Sequence, residues 1–523
     1  MTDFLTPPAT PSAAPAPYRR RWPALAVILA GSVMEMLDST VTSIAGPTIR
    51  AELGGGTSLI QWLGVAYALA MTAGLLVGGR LGDIAGRKRM FLIGAGGFVA
   101  GSLLCAIATG PETAIAARAM QGLFGACMIP QGLGMLKEMF PPRELQAAFG
   151  AMGPVMGLSA VGGPTLAGWL VDADLLGTGW RMIFLINLPI GLALLIAAIA
   201  FLPPGRPAPG VRLDLPGALL ASCGALLLVF PLVQGREYGW PAWTFAMMAA
   251  SVAVFTAFGW HEVRKSRSGG DPLIMPSLFR KRAFLGGMAT GTIYFAAFSG
   301  FGLVFNLHLQ LGLGFSPLRA AVAGIPLSVG MGVGMGVVQA VMRHGRKVLH
   351  AGAVTMTAGV LGLVPALDSQ AGFWQLAPAL LITGIGAGLI MGPYFDIVLA
   401  GVDPHETGSA SGTLTTLQQV GGALGTAVLG TVFFSGLSEG PAAISDALWT
   451  VAAMIALTFL AGFLLPRHVR QGGTRLLTDR RGRMRRTSDR FWLICANPSR
   501  AGVGQRRPPP GSEGRPARDI MPL

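Results

Sequence analysis

Charged residues are scarce in this sequence. They make up 12% of the chain, whereas apolar residues make up 52%; soluble domains carry roughly 25% charged residues. No soluble core could hide that much apolar surface, so lipid must be the solvent for most of the chain. The low charge therefore excludes an ordinary soluble protein and predicts an integral membrane protein.

Cysteine is also scarce, at 4 residues. Cys105, Cys127 and Cys223 lie in apolar segments, and no spacing indicates a metal site or a disulfide framework. The sequence also lacks a nucleophile–base set and an ATP-binding loop of the Gly-x-x-x-x-Gly-Lys-Ser/Thr type. We therefore expect no enzyme activity, no metal and no cofactor, with an ion gradient as the energy source.

The N-terminus lacks the layout of a cleavable signal peptide. The first apolar run, Trp22–Leu37, follows three arginines, and Glu35 and Asp38 stand where a cleavage site would lie. A signal peptide is the alternative, but this layout favours an uncleaved first helix that starts in the cytoplasm.

Apolar runs of about 20 residues, enough to cross a bilayer as a helix, recur along the whole chain. We predict an all-α protein with fourteen transmembrane helices. They are placed near 22–44, 60–79, 90–109, 113–136, 147–171, 181–202, 214–233, 243–261, 284–308, 317–342, 348–367, 375–398, 409–435 and 445–465.

Arginine and lysine are distributed unevenly between alternate loops. With the N-terminus inside, the inner loops hold clusters such as 87–89 and 280–282. The outer loops hold only Arg50, Arg181, Arg236 and Arg319. A count wrong by one helix would destroy this asymmetry, so the positive-inside rule supports an even number of helices with both termini cytoplasmic.

The loop lengths divide the helices into six, two and six. Two six-helix halves are typical of secondary transporters, whose substrate site lies between the halves at mid-membrane; a channel or a membrane enzyme is the alternative. The predicted parts are a cytoplasmic segment 1–21, a six-helix bundle 22–202, two inserted helices with a cytoplasmic loop 203–283, a second six-helix bundle 284–466 and a basic cytoplasmic tail 467–523.

Ionisable side chains inside apolar helices are costly and by default indicate function. Glu35 and Asp38 lie three residues apart in the first helix and share one helix face. Two such carboxyls cannot both ionise cheaply, which suits a proton carrier; a local cap near the outer helix end is the alternative for Asp38. Arg118 in the fourth helix either pairs with one of these carboxylates or extends to the interface.

The loop between the second and third helices combines spaced glycines with an acid among cations. The glycines permit a tight turn. A positive-inside loop alone would explain the cations but not the acid. We interpret the set as a conformational latch, formed by Gly79, Asp83, Gly86, Arg87 and Lys88.

Small residues at three- and four-residue spacing run along the fifth helix, together with two Gly-Pro pairs. Such a face packs closely against neighbouring helices, and the prolines permit kinks. We expect this face to seal the transport path against leak. The residues concerned are Gly150, Gly163, Pro164 and Gly168.

Three of these segments resemble motifs of the major facilitator superfamily. Residues 79–88 are similar to its loop signature Gly-x-Leu-x-Asp-x-x-Gly-Arg-Lys, with Ile84 where an arginine is frequent. Arg118, followed by Gln121, resembles the fourth-helix motif implicated in proton transfer. The fifth helix looks like the antiporter signature, with Ser159 and Ala167 where glycines are usual. That last likeness implies an exporter.

Further segments resemble the fourteen-helix drug:proton antiporter branch of that superfamily. Residues 37–47 are similar to its first-helix motif, with Ser43 in place of asparagine, and residues 180–191 and 408–425 resemble its sixth-helix and late-helix motifs. The resemblance covers about residues 22–466. It implies the major facilitator fold, with twelve core helices in two bundles and two inserted helices.

Several side chains are candidates for a substrate cavity between the halves. The aromatic residues of the ninth helix suit the stacking of flat lipophilic ligands; lipid contact or packing is the alternative. The candidates are Gln121, Tyr294, Phe298, Phe301 and Asp396.

The formal charge of +15 is concentrated in the predicted tail, which holds about fourteen arginines against about four acids. So basic a segment with few apolar residues is expected to be disordered and to adhere to anionic lipid, without nucleic acid as a partner.

We predict proton-coupled efflux of small lipophilic drugs, antibiotics or secondary metabolites by alternating access across the bacterial cytoplasmic membrane. Asp38, Glu35 and Arg118 would couple protons to transport, and the family resemblance implies a monomer. One alternative is a lipid or glycolipid exporter of the same fold. The other is a non-transporting receptor or scaffold.

Overall fold

The computed structural model describes residues 18–205, 213–368, 373–403, 406–436 and 442–465. They belong to one compact unit, which spans residues 1–469. Nearly all of them are helical, and no strand occurs within these ranges. The predicted tail and most of the predicted N-terminal segment lie outside the described residues.

The first helix is longer than its apolar run. It continues through Pro47 to Leu53 because its last turns are still packed, with Ile49 fully buried, and it ends at Gly54, whose φ is 77°. The sixth span consists of two pieces that meet at Ile186. The bounds are α1 Arg21–Leu53, α2 Ser58–Ala85, α3 Arg87–Ala106, α4 Pro111–Met139, α5 Pro142–Asp172, α6 Met182–Leu185 and α7 Asn187–Phe201.

Two further helices, α8 (Leu215–Gln234) and α9 (Ala242–Arg267), form the inserted pair. Asp214 caps the start of α8, where its Oδ1 accepts a hydrogen bond of 3.1 Å from the backbone N–H of Gly217. The segment 271–281, which we call the strap, then leads from the inserted pair to the last helices and contains one 3₁₀ turn.

The last helices begin directly after the strap. α10 continues into a π-helical turn at His308–Gly312, and α11 and α12 together make one span. The bounds are α10 Arg282–Leu307, α11 Pro317–Ala323, α12 Ile325–Val341, α13 Arg346–Asp368, α14 Phe373–Leu399, α15 Thr407–Gly436 and α16 Ala442–Ala461.

Within the described residues, 12 helical segments are long and apolar enough to cross a membrane. α4 and α5, of 29 and 31 residues, are equally long but are not among these 12. Polar side chains lower the hydropathy of α4, which carries Arg118 and two glutamines. The all-helical membrane architecture is therefore confirmed, and the count of fourteen stays a prediction.

Close approach of backbones joins helices within the second half. A Cβ atom at Gly330 of α12 would lie 2.2 Å from the carbonyl oxygen of Leu381, and one at Gly384 of α14 would lie 2.0 Å from that of Leu327. No side chain fits at such distances, so glycine at these positions is a condition of the contact.

The two halves meet at the end of the bundle where α1 finishes and α2 begins, which we call the α1–α2 end. There the Gln61 side chain donates hydrogen bonds of 3.1 and 3.0 Å to the carbonyl oxygens of Thr426 and Ala427. The Gln310 side chain donates one of 2.8 Å to that of Ile44. These contacts join α2 to α15 and α10 to α1.

Candidate functional site

A buried ion pair lies in the middle of the first half. Arg118 Nη1 of α4 contacts Asp38 Oδ2 of α1 at 2.5 Å, and neither side chain has any exposed surface. Asp38 lies well inside α1, so it does not cap the helix end, and Arg118 does not reach the interface. Because either ion alone would be very unfavourable at this depth, each makes the other tolerable.

Polar side chains from α3, α4 and α7 surround this pair, while Arg118 Nη2 has no hydrogen-bond partner among the described residues. Asp38 Oδ1 accepts from the side-chain amides of Gln121, at 2.7 Å, and Asn187, at 2.9 Å. Both amides also donate to Ser102 Oγ, at 2.7 and 3.0 Å. The carboxylate is thus fixed by three donors on two helices. Gln121 lies inside this network and is fully buried, and its place in a substrate cavity stays a prediction.

The Arg118 guanidinium is held on its other side by α2. Its Nε donates to the carbonyl oxygen of Leu63 at 3.1 Å, and its carbon lies 4.4 Å from the centre of the Tyr67 ring. The hydroxyl of Tyr67 donates to Glu35 Oε1 at 3.0 Å. Glu35 therefore joins the network through Tyr67, one turn of α1 away from Asp38.

A small cavity opens beside Asp38 between α1, α5 and α7. It has a volume of about 20 Å³, roughly the space of one water molecule. Apart from Asp38 and Asn187 its walls are apolar, and they include Leu37, Gly163 and Ile190. Asp38 is therefore not completely enclosed by packed atoms.

The predicted latch residues lie where α2 ends and α3 begins. Asp83 accepts a hydrogen bond of 3.0 Å from Arg87, which also contacts Glu138 of α4 at 3.3 Å. Lys88 donates to the carbonyl oxygens of Ile199 in α7, at 2.7 Å, and of Leu202 just after α7, at 3.0 Å. Gly86 has a φ of 91°, which only glycine adopts easily, and forms the turn; Gly79 lies in α2.

The predicted small-residue face of α5 contacts both halves. A Cβ atom at Gly163 would lie 3.0 Å from Thr40 of α1, and one at Gly168 would lie 2.7 Å from the carbonyl oxygen of Pro317 of α11. Pro164 lies between them within the helix, and Gly150 lies nearer the start of α5.

The aromatic residues predicted for a substrate cavity are largely packed. Tyr294 and Phe301 are buried, and the Tyr294 hydroxyl donates to the carbonyl oxygen of Ala387 at 3.0 Å. Phe298, which is half-buried, stacks on Tyr294 at 6.1 Å between ring centres. Asp396 of α14 is exposed. In this conformation the packing alternative therefore describes Tyr294 and Phe301 better than a cavity wall does.

Three members of the buried network were not among the predicted site residues: Tyr67, Ser102 and Asn187. Asn187 stands alone as an amide in an apolar run, which is a usable signal. Tyr67 is one of only 5 tyrosines in the chain. Ser102 gives no such signal, because single serines are common in membrane helices.

The fold and the buried charged network define a polytopic membrane protein. The sequence model of the Major Facilitator Superfamily matches residues 28–426. The chain belongs to the major facilitator superfamily and is therefore a transporter and not an enzyme.

Relatives from actinomycetes support this membership. The chain is 52% identical over 441 residues to the probable actinorhodin transporter of Streptomyces coelicolor, covering 83% of this chain and 76% of that protein. It is 32% identical over 424 residues to the tetracenomycin C resistance and export protein of Streptomyces glaucescens, covering 80% and 77%. A solved POT family peptide transporter has the same fold, with a TM-score of 0.61 at 13% identity over 84% of this chain and 95% of that one.

Proposed function

We propose that this protein exports small lipophilic antibiotics or secondary metabolites in exchange for protons. The names of its relatives support export of such compounds, since one is a probable actinorhodin transporter and another a tetracenomycin C resistance and export protein. Their Streptomyces origin supports a bacterial cytoplasmic membrane as its location. No observation favours lipid export or a receptor role over this proposal.

The main support for proton coupling is the buried Asp38–Arg118 pair. Arg118 keeps its charge, so the protonation state of Asp38 decides whether the pair is neutral or carries one positive charge. An uncompensated charge at this depth is very unfavourable. Protonation of Asp38 would therefore loosen α1 from α4, and such a change can be linked to the binding and release of substrate.

Alternating access is supported by the contacts at the α1–α2 end. The lysine and arginine asymmetry of the sequence supports an outside position for that end. Closed contacts outside correspond to an inward-facing conformation, in which substrate would enter from the cytoplasm. We propose that the cycle opens this end and closes the opposite one, with both termini in the cytoplasm and the monomer as the working unit.

The decisive experiment uses everted membrane vesicles that contain the protein. A pH gradient is formed first, and lipophilic antibiotics and dyes are then added while proton release is followed. We expect substrate-triggered release by the wild type and by Glu112→Gln, whose exposed acid starts α4. Asp38→Asn should give none.

Two results would count against the proposal. Wild-type release by Asp38→Asn would remove Asp38 as the coupling acid. A wild-type protein that is inserted correctly and responds to no compound would favour lipid export or a receptor role instead.

The latch has its own test in Asp83→Asn. The substitution removes the charge that faces Arg87, so we expect the protein to insert normally but to transport several-fold more slowly. Transport is measured by dye efflux at matched membrane expression, with Glu112→Gln as the matched control. Wild-type efflux by Asp83→Asn would refute the latch.

A further inference from the structure

A second buried charged cluster lies far from Asp38 in the chain, where the inserted helices meet. It contains Asp214 at the start of α8 and His261, Glu262 and Lys265 near the end of α9. Asp214 and Glu262 are each only 1% exposed. One side-chain nitrogen or oxygen atom from each of Asp214, His261 and Glu262 lies within 4.8 Å of the other two. Two acids are therefore buried side by side.

One carboxylate oxygen of each acid has hydrogen-bond partners. Asp214 Oδ1 contacts His261 Nε2 and Lys265 Nζ, both at 3.0 Å, and the backbone N–H of Gly217. Glu262 Oε2 accepts a hydrogen bond of 2.9 Å from the backbone N–H of Ile274 in the strap.

The other oxygen of each acid has no hydrogen-bond partner among the described residues. These two atoms, Asp214 Oδ2 and Glu262 Oε1, point to the same spot. A Cβ atom at Gly217 would lie 2.8 Å from the first and 2.7 Å from the second. Two buried carboxylate oxygens that converge without a partner repel each other, and a proton between them would remove both the repulsion and the missing hydrogen bond.

We propose that Asp214 and Glu262 form an acid–carboxylate pair that binds one proton between these two oxygens. The pair is a second protonation site, separate from Asp38 and independent of the proposed export function. With the proton bound, the two acids and Lys265 carry no net charge when His261 is neutral. Without it, two adjacent carboxylates share one ammonium group.

The proton is carried by Glu262, because three donors on Asp214 Oδ1 stabilise the Asp214 carboxylate and Glu262 accepts only the hydrogen bond from Ile274. Burial alone would raise the pKa of the Asp214 carboxyl, but hydrogen bonds from His261, Lys265, Gly217 and Glu262 itself outweigh it and lower that pKa to about 2. Glu262 then donates its proton to Asp214 Oδ2 and still accepts the hydrogen bond of Ile274.

A proton fits this cluster better than a divalent metal ion. A metal ion on Asp214 would lie next to the ammonium of Lys265, which contacts the same carboxylate at 3.0 Å, and the two positive charges would repel. It would also compete with the contact from His261. The proton occupies the space between the unpaired oxygens and leaves every observed contact in place.

The pair is joined to both halves through the strap. Two residues before Ile274, the carbonyl oxygen of Pro272 accepts a hydrogen bond of 2.8 Å from Arg80 of α2, which lies next to the latch. The backbone N–H of Met275 donates to Ser409 Oγ of α15 at 3.3 Å. Loss of the proton would push Glu262 away from Asp214 and move the strap, so the pair adds a pH-sensitive link between the inserted helices and the two halves.

Infrared spectroscopy of the full-length protein, purified in detergent at neutral pH, tests the proposal. A protonated carboxylic acid has a carbonyl band that a carboxylate lacks. We expect Glu262→Gln to lose one such band from the wild-type spectrum. The matched control is Glu237→Gln, an exposed acid in the turn between α8 and α9, which should lose none. An unchanged acid band in Glu262→Gln would overturn the proposal.

Thermal unfolding gives a second readout. The folded pair holds a proton that an unfolded glutamate, with a pKa near 4.3, releases at neutral pH. Wild-type stability should therefore fall as the pH rises. Glu262→Gln keeps a donor for Asp214 and an acceptor for Ile274, so it should fold and show a weaker decline.

Metal analysis separates the rival ligand. Metal bound in stoichiometric amount by the wild type, and lost in His261→Ala, would identify a cation site and refute the proton pair. An equal decline of stability with pH in the wild type and in Glu262→Gln would refute it as well.

Discussion

At the scale of the residue, the Asp38–Arg118 pair is the most sensitive feature of the molecule. Its two charges are fully buried and are held by donors from α4 and α7. Burying such a pair is not in itself stabilising, since its desolvation offsets its attraction. Its presence at mid-membrane is therefore better explained by a function that needs a charge there.

A double-mutant cycle of Asp38 and Arg118 tests whether each buried charge depends on the other. Asp38→Asn leaves the Arg118 charge without a partner and should destabilise the protein by about 3–5 kcal/mol. The double variant with Arg118→Gln removes both charges, so it should recover most of the lost stability without recovering proton exchange. Thermal unfolding in detergent measures the stability of each variant, and the vesicle assay measures its proton exchange.

Two results of this cycle would contradict the proposed role of the Asp38–Arg118 pair. If the double variant is no more stable than Asp38→Asn, the charge of Arg118 is not what destabilises the single variant. If the double variant exchanges protons at the wild-type rate, the pair is structural only.

At the scale of the element, α5 packs against α1 near Asp38 and also against α11 of the second half. Gly163 faces α1, which carries Asp38, and Gly168 faces α11 of the second half. The two glycines therefore contact different parts of the molecule. A side chain at Gly168 would meet the backbone of Pro317 and Leu318. The small residues of α5 thus allow the α1–α2 end to close.

Two alanine variants of α5 test this role. Gly168→Ala places a Cβ atom 2.7 Å from a carbonyl oxygen of α11, and such overpacking costs about 1–3 kcal/mol. It should hinder closure and reduce dye efflux several-fold. Gly162→Ala in the same helix meets no atom within 4 Å and should transport like the wild type. Equal efflux by the two variants would exclude the role of Gly168.

At the scale of the whole molecule, the structure is one conformation of a protein whose halves touch at the α1–α2 end. Besides Gln61 and Gln310, the end of α5 takes part. Asp172 Oδ2 accepts hydrogen bonds from Ser316 Oγ at 2.6 Å and from the backbone N–H of Leu318 at 3.3 Å. Transport by alternating access requires these contacts to break in each cycle.

Cross-linking that contact should stop transport. In a protein without its native cysteines, Asp172→Cys and Ser316→Cys are joined by a short, reducible cross-linker. We expect efflux to be lost on cross-linking and restored on reduction, because the α1–α2 end cannot open while it is joined. Asp172→Cys alone is the control. Full efflux by a completely cross-linked protein would mean that this end stays closed throughout the cycle.

The sequence by itself determined the membrane class, the helical segments and the family. Each of these depends on local composition: a helix that crosses lipid must be apolar over its own length, and the motifs are short and contiguous. It also brought Asp38 and Arg118 forward as candidates, because charge inside an apolar run is unusual wherever it occurs.

Only the tertiary structure decided which of these residues meet. Asn187 reaches Asp38 across 149 positions of the chain, and Asp214 reaches Glu262 across the length of two helices. Tyr294 proved to be packed although its aromatic neighbours are apt for a ligand. The reason is physical: composition sets whether a helix lies in lipid, but the rotation and crossing of helices set which side chains face one another, and these depend on close contacts between segments far apart in the sequence.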